Sequence, residues 1–139
     1  LVGSEMCIRD RFNLGVLYAN GQGVTQNDQQ AFAWYQKAAN QGDAKAQFNL
    51  GLMYSNGRGV AQDYRQAMAW YQKAANQGHA IAQYNLAVMY ANGRGVAQDY
   101  RQAKALLQKI LAQPDTPDNA EAKANARISL ASLIIMGIR

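Results

Sequence analysis

Few side chains in this sequence are of the types that perform catalysis or bind metal ions. The 139 residues include one histidine, His79, and one cysteine, Cys7. A metal site needs several converging ligands and an activated nucleophile needs a neighbouring base, so one residue of each type provides neither. His79 follows Asp43 by 36 residues and takes an equivalent position, so we interpret it as a surface residue at a helix start. We therefore predict no catalytic residue, no metal site and no cofactor.

Three glycine-rich segments have the composition of a phosphate-binding loop but not its pattern. They read Gly-x-Gly-Val at residues 21–24, 57–60 and 93–96, each directly after an asparagine. A P-loop continues to a further glycine and then to Lys-Ser or Lys-Thr, and neither follows here. Because asparagine and glycine both tolerate positive φ, each segment is predicted to be a tight turn that ends a helix.

These turns recur because a block of sequence returns every 36 residues. Residues 13–42 and 49–78 are identical at 21 of 30 positions, and residues 56–67 and 92–103 are identical throughout. A fixed period of this length is typical of stacked copies of one small unit. It favours binding over catalysis.

Each repeat contains two predicted helices. The first begins near Asp43 in the middle copy, where aspartate is a favourable N-cap. The second has an apolar face at spacing i, i+3, i+4, i+7 and i+8. Neither helix can bury its apolar face alone, so we predict antiparallel pairs that stack, with Trp34 and Trp70 in the core. The apolar residues of the second helix are Ala67, Trp70, Tyr71, Ala74 and Ala75.

The middle copy resembles the Sel1-like repeat, a relative of the tetratricopeptide repeat with a longer loop. The residues that carry the resemblance run from Ala44 to Gly78 and include Ala-x-Ala-Gln-x-x-Leu-Gly, the two loop glycines, Trp-Tyr and Lys-Ala-Ala. The resemblance implies an all-α fold, a right-handed solenoid of stacked antiparallel helix pairs. It also implies a non-catalytic scaffold that binds proteins. Some cysteine-rich relatives have been discussed as β-lactam-binding or β-lactam-degrading proteins, but their cysteine pairs are missing here.

The repeats divide the chain into segments. When back-translated, Leu1–Asp10 resembles a transposon-end adapter used for sequencing libraries, and residues 1–11 match no repeat position, so we hypothesise a non-native scar there. Without the native N-terminus, the sequence does not decide whether the protein lies in the bacterial cytoplasm, lies in the periplasm or is secreted. The predicted segments after the scar are 12–42, 43–78 and 79–112 as repeats 1 to 3, 113–119 as a loop and 120–139 as a C-terminal helix.

The C-terminal helix has two interpretations, a cap on the solenoid or a truncated fourth repeat. Asp118 and Glu121 have the spacing of a capping box at its start. Its apolar residues align with those of the third repeat at an offset of 44 residues, which places Ser129 where earlier copies have asparagine.

We predict a partner-binding groove on the first helices, which line the concave surface in related repeats. One asparagine per repeat offers a donor and an acceptor to an extended peptide backbone, and Phe48 and Tyr84 offer apolar anchors. The alternative is that these residues pack neighbouring repeats together. The predicted groove residues are Asn13, Lys45, Phe48, Asn49, Leu52, Ile81, Tyr84, Asn85 and Val88.

The chain is mildly basic, with a net charge of +5 at pH 7. Recurring arginines predict a basic edge that could bind polyanions or a membrane surface, or simply a solvated edge balanced by nearby aspartates. No aromatic residues alternate with these arginines, so no nucleic acid partner is expected. No apolar run reaches the roughly 18 residues of a membrane span. We expect a monomer that binds a protein or peptide. The arginines of this edge are Arg58, Arg65, Arg94 and Arg101.

Overall fold

The computed structural model describes residues 6–138, and every regular element in this range is an α-helix. Short loops join consecutive helices, and these helices pack against each other. The first six helices therefore form three antiparallel pairs. This confirms the predicted all-α solenoid. The helices are α1 (Ile8–Asn20), α2 (Asp28–Asn40), α3 (Ala44–Asn56), α4 (Tyr64–Asn76), α5 (Ala80–Asn92), α6 (Tyr100–Leu111) and α7 (Ala120–Ile135).

The proposed adapter-encoded segment lies partly outside the described residues, which begin at Met6. Its last residues form the first turn of α1. The sulfur of Cys7 accepts a hydrogen bond from the backbone N–H of Asp10 at 3.4 Å and serves as the N-cap. The non-native origin of this segment stays a hypothesis.

Local signals at the helix ends act as the sequence indicates. A side-chain oxygen of Asp43 accepts a hydrogen bond from the N–H of Ala46 at 2.9 Å, which satisfies a donor that the first turn of α3 leaves free. Gly57 ends the same helix in the left-handed conformation, with φ of 67°, and its N–H donates to the carbonyl of Met53. The other first helices of the three repeats end in the same way.

The buried core lies between consecutive repeats. Two of the three clusters join buried residues of the second helix of one repeat to those of the first helix of the next, and the third joins α5, α6 and α7, so much of the core forms across repeat boundaries. In the central cluster α4 contributes Ala67, Tyr71, Ala74 and Ala75, and α5 contributes Ala82, Leu86 and Met89.

The expectation that Trp34 and Trp70 fill the core is wrong. Both are half-buried, and the tyrosines that follow them are buried, with Tyr71 only 2% exposed. The ammonium of Lys73, one turn further along α4, lies 4.4 Å from the centre of the Trp70 ring. The tryptophans therefore cover the outside of the core as the partners of cation–π contacts.

The capping box predicted at the start of the C-terminal helix does not form. The helix begins after Asn119 rather than Asp118, and no side chain caps its first turn. Asn119 instead accepts a hydrogen bond from the N–H of Thr116 and donates one to the carbonyl of Pro114. Asn119 lies 40 residues after His79 and both precede a helix, whereas Ala126 and Leu133 are buried as Ala82 and Met89 are at the predicted offset of 44 residues.

Paired glutamines connect neighbouring repeats beside the core. Gln47 is buried and donates to the carbonyl of Ala39 at 3.2 Å. Gln77, at the end of the same repeat, donates to the side-chain oxygen of Gln47 at 2.9 Å and to the carbonyl of Gly42 in the preceding repeat at 2.8 Å. Gln83 and Gln113 repeat the arrangement 36 residues on.

We expect Gln77→Ala to lower the free energy of unfolding by about 1 kcal/mol, because the buried oxygen of Gln47 loses its donor. Urea unfolding followed by circular dichroism measures this change. Gln72→Ala is the control, since Gln72 is exposed on α4, the helix whose C-cap is Gln77, and its side chain hydrogen-bonds to Asn76. An equal loss in both variants would show that the glutamine pair does not couple the repeats.

Candidate partner-binding groove

A depression of about 680 Å³ lies where the starts of α3 and α5 meet the loop before α7. Four of the predicted groove residues line it: Lys45, Phe48, Asn49 and Ile81. His79, two glutamines and the loop before α7 complete it, and the sequence pattern did not point to them as groove residues. The lining is Phe12, Ala44, Lys45, Phe48, Asn49, Gln77, Gly78, His79, Ala80, Ile81, Gln113, Pro114, Thr116, Asp118 and Asn119.

A second depression of about 300 Å³ lies between α5, α6 and α7. Tyr84 and Val88 of the predicted groove line it, together with Ile128 and Ser129 of α7. The Tyr84 hydroxyl and the Ser129 hydroxyl are 3.3 Å apart and share a hydrogen bond. The remaining predicted groove residues, Asn13, Leu52 and Asn85, line neither depression.

Four of the apolar groove residues are half-buried and also contact the core. Phe48 and Leu52 pack against the α4–α5 cluster, and Ile81 and Tyr84 pack against the next cluster. The ring of Phe48 lies 5.8 Å from that of Tyr71, a geometry that Phe12 and Tyr35 repeat at 5.7 Å. These side chains therefore offer one surface to the groove while another surface holds the repeats together.

The asparagines contact the buried tyrosine of the preceding repeat. Burial raises the pKa of Tyr35, and a hydrogen bond with Asn49 and the charge of Arg58 act against this rise. Burial likewise raises the pKa of Tyr71, against hydrogen bonds with Asn85 and Ser55. An asparagine amide can form four hydrogen bonds, two as a donor and two as an acceptor, and the tyrosine takes one of them. Because the side chain is half-exposed, the others can reach a ligand.

His79 is not the surface residue that the sequence suggests. It is half-buried, and its ring stacks on Phe48 with centres 4.8 Å apart and planes 21° apart. Its Nδ1 atom accepts a hydrogen bond from the N–H of Ala82 at 3.2 Å and caps α5. The period correctly placed His79 at a helix start, but the contact with Phe48 joins side chains 31 residues apart and has no local signal.

The predicted basic edge is partly neutralised. Arg58 forms an ion pair with Asp28, with 2.7 Å between Nη2 and Oδ1. This pair lowers the pKa of Asp28 and raises that of Arg58. The guanidinium of Arg94 lies 5.6 Å from the centre of the Tyr64 ring. Arg65 and Arg101 are exposed at the starts of α4 and α6.

Residues 6–138 contain no group of three His, Cys, Asp or Glu side chains placed to hold a metal ion. Over the same range, no helix has both the length and the apolar character that crossing a membrane requires.

The family profile of the Sel1 repeat matches residues 11–43, 44–79 and 80–115. This chain belongs to the Sel1 repeat family. Sel1 repeat proteins generally act as scaffolds for protein interactions, and the family is generally non-catalytic. No curated protein shows significant similarity to the chain.

Solved structures with the same repeat are similar to this protein. A Sel1 repeat protein from Oxalobacter formigenes is 34% identical with a TM-score of 0.81, over 91% of this chain and 49% of that one. A protective antigen of uropathogenic Escherichia coli is 30% identical with a TM-score of 0.76, over 94% of this chain and 34% of the antigen. This Sel1 repeat protein therefore spans half or less of their length.

A cysteine-rich protein from Helicobacter pylori, cysteine rich protein B, shares the fold. It is 23% identical with a TM-score of 0.60, over 77% of this chain and 90% of that one. At this identity the likeness concerns the fold alone.

Proposed function

We propose that this Sel1 repeat protein binds an extended segment of a partner protein along the surface formed by α1, α3 and α5. The observation that carries the proposal is the 680 Å³ depression, which places Phe48 and Ile81 beside Asn49 and Lys45. Apolar anchors in a concave surface with a few polar groups are the composition of a recognition site.

The asparagines add specificity for a polypeptide backbone. A peptide carries an N–H and a C=O at each residue, and an asparagine amide can bond to both. The tyrosine that contacts Asn49 fixes the orientation of its amide before a partner arrives. A side chain that is already ordered loses less conformational entropy on binding.

The test selects peptides from a display library with the full chain and measures their affinity by calorimetry. We expect Asn13→Ala and Lys45→Ala to weaken binding, and Ile81→Ala to weaken it about tenfold, the scale of an interface anchor. Asn13 and Lys45 are exposed, so these two variants leave the core intact.

Gln36→Ala is the matched control, because Gln36 is exposed on a second helix, α2. Nuclear magnetic resonance shift mapping with the selected peptide locates the contact independently of the variants. The groove assignment would be wrong if the peptides shifted the resonances of α2, α4 and α6 instead, or if they bound all variants with equal affinity.

A further inference from the structure

The cap of α5 differs chemically from the cap of α3. Asp43 offers a carboxylate oxygen to the N–H of Ala46, whereas His79 offers the ring nitrogen Nδ1 to the N–H of Ala82. A carboxylate accepts hydrogen bonds throughout the neutral range. An imidazole nitrogen accepts only while it carries no proton, and this changes between about pH 5 and 8 for an ordinary histidine.

The cap is also part of the groove wall. The ring of His79 stacks on Phe48, and the residue two positions on, Ile81, lines the same depression. Lys45 and Asp118 also line the depression, but His79 is the single histidine of the described residues and the side-chain type that ordinarily titrates near neutral pH.

We infer that His79 is a pH-sensitive latch on the groove: its protonation removes the cap and releases the first turn of α5, which carries Ile81. A doubly protonated ring would point an N–H at the N–H of Ala82, so the hydrogen bond cannot form. The new charge would also lie at the positive end of the helix dipole. The ring must then turn away, and the first turn of α5 opens more often.

The charged groups around His79 act in both directions. Burial lowers the pKa of His79 most, and the charge of Lys45 on α3 lowers it further. The carboxylates of Asp43 and Asp118, and a backbone hydrogen bond of His79, act against this shift. Since the pKa in the folded protein lies below its usual value near 6.5, the cap is fully present above pH 6.5 and is lost as the pH falls through that lower pKa.

Hydrogen exchange of the full chain without any ligand tests the latch. Protection factors correct for the intrinsic effect of pH on exchange, and the ring proton of His79 reports its titration by magnetic resonance. Between pH 8 and pH 5, we expect the protection factor of the Ala82 amide to fall about tenfold in step with the ring. The Ala46 amide, which Asp43 caps, is the internal control and should keep its protection.

His79→Asp is the matched variant, because it copies the cap of α3 and should hold Ala82 protected over the same range. A ring that titrates without change at Ala82, a ring that stays neutral down to pH 5, or equal losses at Ala46 and Ala82 would each overturn the latch. The latch also predicts weaker partner binding at low pH, and this consequence rests on the proposed function. Because the exchange experiment uses no partner, failure to find a bound peptide leaves its result unaffected.

Discussion

Gly59→Ala is expected to destabilise the protein by about 2–5 kcal/mol. The loop glycine has φ of 70°, and a methyl group there would lie 2.4 Å from the carbonyl oxygen of Asp28 in the preceding repeat. A left-handed alanine costs about 1–2 kcal/mol, and overpacking against backbone adds about 1–3 kcal/mol. The clash falls on the junction where Arg58 also pairs with Asp28, so the two repeats must move apart.

Gly23→Ala is the matched control for this effect. Gly23 has the equivalent loop position and φ of 75°, but an added methyl group there meets no atom within 4 Å. Gly23→Ala should therefore lower the free energy of unfolding only by the cost of a left-handed alanine, about 1–2 kcal/mol. Urea unfolding of both variants gives the difference, which measures the contact between repeats. Equal losses would mean that the first two repeats do not pack as closely as described.

Gly51→Ala is expected to cost about 2–3 kcal/mol even though alanine favours a helix. A methyl group at this position in α3 would lie 2.5 Å from two ring carbons of Tyr71, and that ring is buried and cannot move aside. The third repeat has already exchanged both residues: Ala87 stands for the glycine and Leu107 for the tyrosine. A smaller side chain on one helix makes room for the methyl group on the other.

The double variant Gly51→Ala with Tyr71→Leu should therefore be more stable than the sum of the single changes predicts, by about 1–3 kcal/mol. Ala87→Gly is the control in the third repeat, where no ring needs the space, and it should lose about 1 kcal/mol of helix propensity. Thermal unfolding of the four proteins in the cycle measures the coupling. Strictly additive losses would contradict the close contact of Gly51 with the tyrosine ring.

Several features of the groove could be predicted because they depend on residues close together in sequence. The period located one asparagine and one large apolar residue on each first helix, and Lys45, Phe48, Asn49 and Ile81 do line one depression. Whether that depression binds a partner stays a prediction. The same side chains also pack neighbouring repeats, so their contacts fit both alternatives that the sequence left open.

Other features needed the stacked structure. In the Trp-Tyr pair, neighbouring side chains lie about 100° apart around the helix, so both come near the apolar face and periodicity cannot choose between them. Close packing against Gly51 selects Tyr71 for the interior and leaves Trp70 beside Lys73. The start of α7 depended likewise on the Asn119 turn, whose hydrogen bonds replace the predicted side-chain cap.

The amino-acid sequence by itself determined the helix pairs, their caps and their glycine turns, because each of these is decided within a few residues of chain. Only the tertiary structure decided which side chains meet across repeats. His79 contacts Phe48 and Arg58 pairs with Asp28 over separations of 31 and 30 residues, and Gln77 donates to the carbonyl of Gly42, 35 residues earlier in the chain. Such contacts depend on the distance and angle at which one helix pair packs on the next, and the cores between repeats set that geometry.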